Sequence, residues 1–358
     1  MIDKKCFTKS WILGKREELG KVDPALLEKS IYALDLLCGL VLSKVPFVFK
    51  GGTSLILLLK AFRRLSIDID ISTETSRVEY GPALKQISLT PPFTGYTEDE
   101  RGERGLPRRA HFKFFYKSAF SNRNDYVLLD VLEEQNLYPE IKTIPVSSPF
   151  IELSRRVVVR MPTVECLLGD KLTAFAPHTI GVRYDPQASM QIIKQLFDVG
   201  ELFAATQDIA MVARAYEAIA DAEIGYRGNA YTREQALDDT FETGVKLCGI
   251  GLRGMPAGKE SAILQDGIKK IDSHLVNVAF RLEDAKIAAS RAALLAAVLK
   301  KGAKSKKLSD LRWKPEEASS LVPLSLAGPL ERLGRIKAAI PEAFYNLYTA
   351  QALLGGPS

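Results

Sequence analysis

The spacing of apolar and polar positions changes near the middle of the chain. In the first half, residues 65–72 and 109–117 alternate between apolar and polar side chains, a period typical of half-buried strands. Residues 47–49 are predicted to be a short buried strand, and residues 125–132 and 156–161, which are rich in β-branched or aliphatic side chains, are predicted to be two further strands. Helical spacing is found at residues 24–42 and 53–62, and a short helix is predicted near residues 80–87. The first half is therefore predicted to be a mixed sheet with interspersed helices.

After Pro162 the apolar positions recur at helical spacing, with few strand signals. Thr163 is a reasonable N-cap for a helix that reaches Phe175. Five further helical segments follow: residues 188–203, 208–220, 232–247, 260–299 and 330–353. We predict an α+β protein with two domains, a mixed-sheet domain at residues 1–160 and an all-helical domain at residues 161–358.

Composition narrows the class of protein. The 358 residues are 46% hydrophobic and 26% charged, as in ordinary soluble globular proteins, and the net charge of +6 permits a polyanionic partner without requiring one. The four cysteines are far apart and lack metal-ligand spacing, which favours reduced thiols in the cytoplasm. The start of the chain does not resemble a signal peptide, and the apolar runs are shorter than the roughly 20 residues of a membrane span. We expect a cytoplasmic protein with no membrane partner.

Asp68 and Asp70 form the first candidate for chemistry. Two residues apart on a predicted strand, their carboxylates point to the same face. Such a pair can converge on divalent cations, and Mg²⁺ (or Mn²⁺) is bound in this way where substrate phosphates also bind. Taken alone, the pair is more simply explained as a solvated strand edge.

A glycine turn lies upstream of this pair. A predicted strand runs into Gly51 and Gly52, and a helix opens at Thr53 or Ser54. Glycines allow close approach of the backbone, and exposed amides at a helix start favour phosphate. A tight turn without a ligand explains the turn alone equally well. Together, the turn and the carboxylate pair match the arrangement of polymerase-beta-like nucleotidyltransferases.

Residues 50–70 resemble one branch of that fold more closely. The runs KGGTSL, at residues 50–55, and RLSIDID, at residues 64–70, are similar to the motif of the AbiEii/AbiGii toxin nucleotidyltransferases and of the related MenT toxins. The resemblance implies a metal site at Asp68 and Asp70. It also implies a binding site for an NTP co-substrate formed by Lys50, Gly51, Gly52, Thr53, Ser54 and Ser66.

Two later segments are similar to the same family. Residues 165–174 resemble its helix with an essential lysine, here Lys171, and residues 194–202 resemble the segment whose second aspartate is catalytic, here Asp198. Gln195 departs from the family, which often has aspartate there. The resemblance covers residues 45–205 and implies that Lys171 and Asp198 complete an active site shared by the two halves. From the residues alone, each would be a solvated side chain on a helix.

Asp130 is the one acidic residue in the otherwise apolar run at residues 127–132. Burial of a lone carboxylate is costly, so Asp130 is expected to face a cleft or a partner, and it is a candidate third metal ligand. A cluster of basic residues along the chain could bind nucleotide or RNA phosphates, although a solvated basic face is the simpler interpretation of each. They are Arg101, Arg104, Arg108, Arg109 and Lys113. The three histidines, His111 among them, are scattered and indicate no site.

Three functions remain open at the level of sequence. The first, which the resemblance favours, is a Mg²⁺-dependent toxin that transfers a nucleoside monophosphate from an NTP to RNA. The acceptor implied is the 3′ end of tRNA, so transfer would block translation, and a cognate antitoxin would be a partner. The second is transfer to a protein hydroxyl. The third is a catalytically idle nucleotide-binding module, against which the presence of Asp68, Asp70, Lys171 and Asp198 argues.

Overall fold

The structure is a computed structural model that describes residues 1–99, 107–256, 258–302 and 307–355. Its contacts divide the chain into two units. The first contains Met1–Thr163 together with the short segment Ser273–Ala279, and the second contains Val164–Asp272 and the chain from Phe280 onward. The chain therefore passes from one unit to the other three times. The predicted boundary lay close to the first of these passages, and the other two were not expected.

The first unit contains strands and helices in alternation. In chain order they are α1 (Lys9–Glu18), α2 (Pro24–Leu42), β1 (Val48–Lys50), α3 (Gly51–Leu58), β2 (Asp68–Thr73), α4 (Arg77–Ser88), β3 (Phe93–Glu98), β4 (Arg108–Lys117), β5 (Asn124–Glu133), β6 (Ile141–Pro145) and β7 (Val158–Pro162). Five strands form a mixed sheet in the order β1-β2-β5-β4-β3. Of the four pairings among these described strands, β2–β5 is parallel and the other three are antiparallel. The predicted mixed sheet is confirmed.

Helix α2 covers one face of this sheet. The Asp23 carboxylate accepts hydrogen bonds from the first-turn amides of Ala25 and Leu26, and Pro24 occupies the first turn, which is why the helix begins there. Ile69 and Ile71 of β2 belong to the buried core that contains much of α2. Because side chains alternate along a strand, Asp68 and Asp70 point to the other face.

Two strand predictions for the first unit were wrong in detail. The strand predicted at residues 156–161 is β7, which pairs with β6 in a separate two-stranded sheet rather than joining the main one. Strand β3 was missed in a segment predicted to be loop with one short helix. It is an edge strand with a register shift between Phe93 and Gly95, so it lacks the regular alternation by which strands are recognised.

The second unit is helical in its described part. Its helices are α5 (Val164–Ala174), α6 (Ser189–Ala205), α7 (Ile209–Tyr226), α8 (Arg233–Gly249), α9 (Lys259–Lys270), α10 (Leu282–Lys300) and α11 (Pro341–Leu354). The helical region predicted at residues 260–299 is two helices, and the segment between them belongs partly to the first unit. No helix within the described ranges has the length and apolar character needed to cross a membrane.

The segment Ser273–Ala279 lies against the residues that precede β2. Leu275 forms an isolated antiparallel bridge with Arg64. The amide of Leu65 donates to the His274 carbonyl at 2.8 Å, and the amide of Val276 donates to the Arg63 carbonyl at 2.9 Å. The Val276 side chain is buried in the core of the first unit. This segment therefore holds the approach to β2 in place.

Candidate active site

Three carboxylates lie on the face of the main sheet opposite α2. Asp68 and Asp70 share that face of β2, and Asp130 on β5 is the in-register parallel neighbour of Asp70. Neighbouring strands are about 4.8 Å apart, so paired residues stand side by side. All three side chains are partly exposed. The fold thus brings together the three residues that the sequence proposed as metal ligands.

Asp130 has a partner that the sequence did not indicate. His111 lies opposite it on β4, and the His111 Nδ1 atom is 2.6 Å from Asp130 Oδ1. The His111 side chain is 20% exposed and that of Asp130 is 37% exposed. No sequence motif links them, because the contact depends on the register between β4 and β5. Any role of Asp130 at this site therefore involves His111 as its contact partner.

Gly51 lies beside Asp70 on the side away from Asp130. Lys50 pairs with Asp70 across β1 and β2, and the chain then turns at Gly51 with φ of +76°. A Cβ at Gly51 would lie 1.9 Å from Asp70 Oδ2. Glycine is required both by this contact and by the left-handed backbone. The turn thus brings the backbone directly against the Asp70 carboxylate.

The hydroxyl groups at the start of α3 stabilise the turn itself. Thr53 Oγ1 donates to the Asp68 carbonyl at 2.5 Å, and Ser54 Oγ donates to the Gly51 carbonyl at 2.6 Å. Both side chains are fully buried. Thr53 and Ser54 were expected to bind the co-substrate, but their hydroxyl protons are directed to these carbonyls. Any contribution to phosphate binding would come from their backbone.

The backbone amides at the start of α3 suit an anion. The first N–H groups of a helix have no partner within it, and their partial positive charge favours phosphate. Lys50 is the N-cap, and its side chain makes no capping hydrogen bond. Its ammonium instead lies 3.6 Å from Glu134 Oε1. The start of α3 therefore combines the amide dipoles of a helix N-terminus with a nearby lysine.

Arg64 is a further charged residue at this turn. It is only 7% exposed, and a Cβ at Gly52 would lie 2.7 Å from its Nη2 atom and 3.1 Å from Ser66 Oγ. Arg64 Nη1 donates to the Leu65 carbonyl at 3.3 Å. The sequence analysis quoted this arginine in the motif but gave it no role. In the sequence, Arg64 could have been identified by its place in the motif, two residues before Ser66 and four before Asp68.

Lys171 and Asp198 lie together in the second unit. Lys171 Nζ on α5 is 3.1 Å from Asp198 Oδ2 on α6, and it donates to Gln195 Oε1 at 2.9 Å. The side chains of Lys171 and Asp198 are 8% and 1% exposed. The alternative in which each is a solvated helical side chain is therefore wrong. Gln195, the departure from the family pattern, is a direct partner of the lysine.

The carboxylates of the first unit suit a hard divalent cation by donor type and by face. Asp68, Asp70 and Asp130 supply oxygen ligands of the kind that Mg²⁺ and Mn²⁺ prefer. As they stand, no three His, Cys, Asp or Glu side chains of the described ranges converge tightly enough to form a metal cluster. The three carboxylates fit a divalent cation in donor type and in the face that they share, and not in the distances between them as they stand.

The basic residues near β4 are placed only in part. Arg101 and Arg104 lie outside the described residues. Arg108 and Arg109 are exposed at the start of β4, and Lys113 Nζ is 3.0 Å from Asp99 Oδ2. Lys113 is thus paired within the protein.

Comparison with known proteins gives a family and several similar structures, of which two are described below. The profile of the family described as nucleotidyl transferase AbiEii toxin, type IV TA system, matches residues 35–305, which is 271 of the 358 residues. The JHP933 protein of Helicobacter pylori is 15% identical with a TM-score of 0.40, covering 78% of this chain and 94% of that chain. A second H. pylori structure, described as a candidate nucleotidyltransferase, is 14% identical with a TM-score of 0.39, covering 78% of this chain and 96% of that one. A search of curated proteins gives no match.

Proposed function

This chain belongs to the AbiEii family of nucleotidyltransferase toxins, and we propose that it transfers a nucleoside monophosphate from an NTP to RNA. Membership of the family implies an NTP as co-substrate and an antitoxin as partner. The finer elements of the proposal are a dependence on Mg²⁺, the 3′ end of tRNA as acceptor, a consequent block of translation, and action in the cytoplasm.

The position of Asp70 is the observation that supports this proposal best. One neighbouring strand places Lys50 and the Gly51 turn against it, and the other places Asp130 beside it. Positively charged or N–H groups are needed to neutralise the negative charge of a triphosphate. A cation held by carboxylates can do so only if it lies next to the phosphates. Asp70 has a candidate metal ligand on one side and the glycine turn on the other, and this arrangement supports the proposal.

Each group of the first unit has a proposed task. Asp68, Asp70 and Asp130 would hold Mg²⁺, which when bound neutralises charge on the transferred phosphate and on the leaving pyrophosphate. The amides at the start of α3 would bind phosphate oxygens, with the Lys50 ammonium as an additional positive charge. His111 would fix the orientation of the Asp130 carboxylate through their 2.6 Å contact.

Lys171 and Asp198 are proposed to act as an ion-paired unit. The buried carboxylate holds the lysine in one position, and the lysine also donates a hydrogen bond to the Gln195 side-chain oxygen. A lysine fixed in this way presents a positive charge without the entropy loss of ordering a flexible side chain. This assignment rests on the family resemblance and on the burial of the pair.

The decisive experiment is an assay of purified protein with Mg²⁺ and total tRNA. Each of the four labelled NTPs is supplied separately, and label is followed on RNA and on protein. We expect one or more NTPs to label tRNA at its 3′ end. Label on protein alone would favour transfer to a protein hydroxyl, and no label on either would favour an idle nucleotide-binding module.

The role as a toxin is tested in the native host. Induced expression is expected to arrest growth, and co-expression of the neighbouring gene's product is expected to relieve the arrest. The Asp68→Asn/Asp70→Asn double variant provides the matched control, because it keeps the shape of both side chains. Equal arrest by this variant would show that the toxicity does not depend on nucleotidyl transfer.

A further inference from the structure

A cavity of about 440 Å³ lies in the first unit at the carboxyl ends of β2 and β5, the parallel pair of the main sheet. Thr73 is the last residue of β2, and Glu134 directly follows β5. Both line the cavity, together with the start of β1 and with Arg160 of β7. In sheets with parallel strands, ligands bind in the crevice outside the carboxyl ends of those strands. The position of this cavity is therefore typical of a ligand site.

Two residues of the lining connect the cavity to the candidate active site. Ser72 lies two residues beyond Asp70 on the same face of β2, about 7 Å farther along the strand. The Glu134 Oε1 atom is 3.6 Å from the ammonium of Lys50, which is the strand partner of Asp70. A ligand with one end at the glycine turn and the carboxylates can therefore extend into the cavity.

The charges of the lining favour one end of such a ligand. Within the described residues, the carboxylates of Glu74, Glu79 and Glu134 line the cavity against the single guanidinium of Arg160. This excess of negative charge disfavours phosphate groups. The amide dipoles at the start of α3 favour them. An NTP is therefore expected to bind with its phosphates at α3 and its uncharged end towards the cavity.

Two side chains of the lining have hydrogen-bonding groups to offer. Ser72 is only 4% exposed, yet its Oγ has no hydrogen-bond partner among the described residues and is not one of their fully enclosed polar atoms. Arg160 is exposed and forms no ion pair with a described residue. Apolar residues complete part of the wall, namely Pro46, Phe47 and Val48. Nucleobases are recognised by hydrogen bonds to their edges and by packing against their faces, and this lining offers both.

We propose that this cavity binds the nucleobase of the NTP co-substrate and determines which NTP the protein uses. The N–H groups of Arg160 donate to acceptor atoms of the base, and the Ser72 hydroxyl forms a further hydrogen bond at its edge. Because the bases differ in the donors and acceptors along their edges, these two side chains distinguish one base from another. A volume of about 440 Å³ lies within the usual range for small-molecule sites. The base site rests on the proposed function, since it needs an NTP whose phosphates lie at the glycine turn.

Titration calorimetry of the purified full-length chain with Mg²⁺ tests this site. Each of the four NTPs is titrated separately in the absence of RNA, so the result does not depend on transfer. We expect the dissociation constants of the tightest and the weakest NTP to differ by about tenfold or more.

Arg160→Gln and Ser72→Ala remove the two recognising groups one at a time. Arg160→Gln is expected to weaken binding of the preferred NTP by about tenfold or more and to leave the weakest NTP nearly unchanged, so that selectivity is lost. Ser72→Ala is expected to weaken binding of the preferred NTP by about fivefold, as for the loss of one neutral hydrogen bond.

Arg156→Gln and Ser88→Ala are the matched controls. Arg156 is an exposed arginine that precedes β7 and is not part of the cavity lining. Ser88 is 2% exposed, but its Oγ donates to the Lys85 carbonyl at 2.8 Å within α4. Both controls are expected to bind the four NTPs as the unaltered chain does.

Three results would overturn the base site. The first is equal affinity of the unaltered chain for the four NTPs, and the second is unchanged affinity of Arg160→Gln for the preferred NTP. The third is equal weakening of all four NTPs by Arg160→Gln, which would show that Arg160 binds phosphates. The comparison of the four NTPs needs no variant, so poor folding of Ser72→Ala would leave the test intact.

Failure of the base site can be told apart from failure of the proposed function. Selective NTP binding without labelled RNA in the transfer assay would reject transfer to RNA and support the base site. Labelled RNA with equal affinity for the four NTPs would support transfer and reject the base site. The absence of NTP binding would reject both.

Discussion

At the scale of single residues, Gly51 carries the tightest geometric requirement at the candidate site. Its φ of +76° is costly for any residue with a side chain, and a Cβ there would overlap the Asp70 carboxylate. Backbone and carboxylate therefore occupy adjoining positions only because this residue has no side chain. Gly51 is needed both for the turn and for the place of Asp70.

Gly51→Ala is expected to damage both stability and activity. The left-handed backbone alone costs about 1–2 kcal/mol for an alanine, and the contact with Asp70 adds to this. Gly14→Ala is the control, because Gly14 is an exposed residue within α1 whose added Cβ would meet no atom within 4 Å. That change is expected to stabilise the chain by about 0.5–1 kcal/mol. Chemical denaturation and the transfer assay measure both variants, and an unaffected Gly51→Ala would contradict the geometry of the turn.

The raised pKa of Asp35 predicts that the stability of the chain depends on pH, and the Asp35→Asn variant isolates this dependence. Its pKa is raised by burial from 3.8 to about 6, so the folded chain binds its proton more tightly than the unfolded chain does. The stability that this proton provides is present below pH 4 and is lost as the pH rises through 6. Asp35→Asn lacks this dependence. Its stability relative to the unaltered chain should therefore rise by roughly 2 kcal/mol between pH 4 and pH 7, as measured by denaturant unfolding at each pH. A difference that stays constant with pH would refute the assignment.

At the scale of elements, the pairing of β2 with β5 decides which carboxylates act together. Asp130 stands beside Asp70 because the two strands are parallel and in this register. Asp125 is also on β5, but it is an odd number of residues from Asp130 and so points to the opposite face. One strand thus provides both a candidate ligand and its control.

Substitution of the carboxylates by asparagine is expected to separate these two faces. Asp68→Asn and Asp70→Asn should each reduce the rate of transfer by roughly 10²–10³-fold, the usual cost of removing a group that stabilises transition-state charge. His111→Asn should reduce it by about 10-fold, as expected for a residue that orients a ligand. Asp125→Asn should leave the rate unchanged. Circular dichroism checks that the variants fold, and a large loss in Asp125→Asn would remove the argument from strand register.

The contact between α5 and α6 allows a structural role of Lys171 to be separated from a catalytic one. Lys171→Met leaves Asp198 buried without its cation and is expected to destabilise the chain by about 3–5 kcal/mol. In the Lys171→Met/Asp198→Leu double variant no buried charge is left, so most of that stability should return while transfer stays absent.

Lys246→Met is the control for this cycle. The Lys246–Glu260 pair in the same unit is about one-third exposed, and its loss is expected to cost less than about 1 kcal/mol. Thermal unfolding and the transfer assay are run on all of these variants. Transfer by the stable double variant would show that the Lys171–Asp198 pair is only structural.

At the scale of the whole molecule, the sequence predicts elements better than it predicts their neighbours. The limits of α2 follow from Asp23, Pro24 and the apolar period, and the structure confirms them at Pro24–Leu42. The contact of His111 with Asp130 depends on strand register, which local sequence does not encode. The burial of Lys171 was also not predicted, because a charged residue on a helix normally faces water.

The segment Ser273–Ala279 is the largest feature that the sequence did not reveal. Its apolar positions continue a helical pattern, and its place in the first unit arises from hydrogen bonds to residues more than 200 positions earlier. A fragment ending at Thr163 lacks these bonds and the buried Val276 side chain. Such a fragment is expected to be less stable than the first unit in the whole chain.

Peptide complementation tests this expectation. A synthetic peptide of residues 272–280 added to fragment 1–163 should raise its melting temperature in a concentration-dependent way, because it binds the folded form only. A scrambled peptide of the same composition is the control. Equal stability with either peptide would show that the segment is not needed to hold the residues before β2.

The three passages of the chain between its units also set an order of events during synthesis. Ser273–Ala279 is translated 116 residues after Thr163, counting from Thr163 to Ala279. At typical elongation rates of 5–20 residues per second, the ribosome needs roughly 6–23 s for that distance. During this interval the nascent chain already carries Asp68, Asp70 and the glycine turn, but not the strand partner of Arg64 and Leu65. Asp68 and Asp70 are therefore translated well before the first unit, to which they belong, has all of its residues.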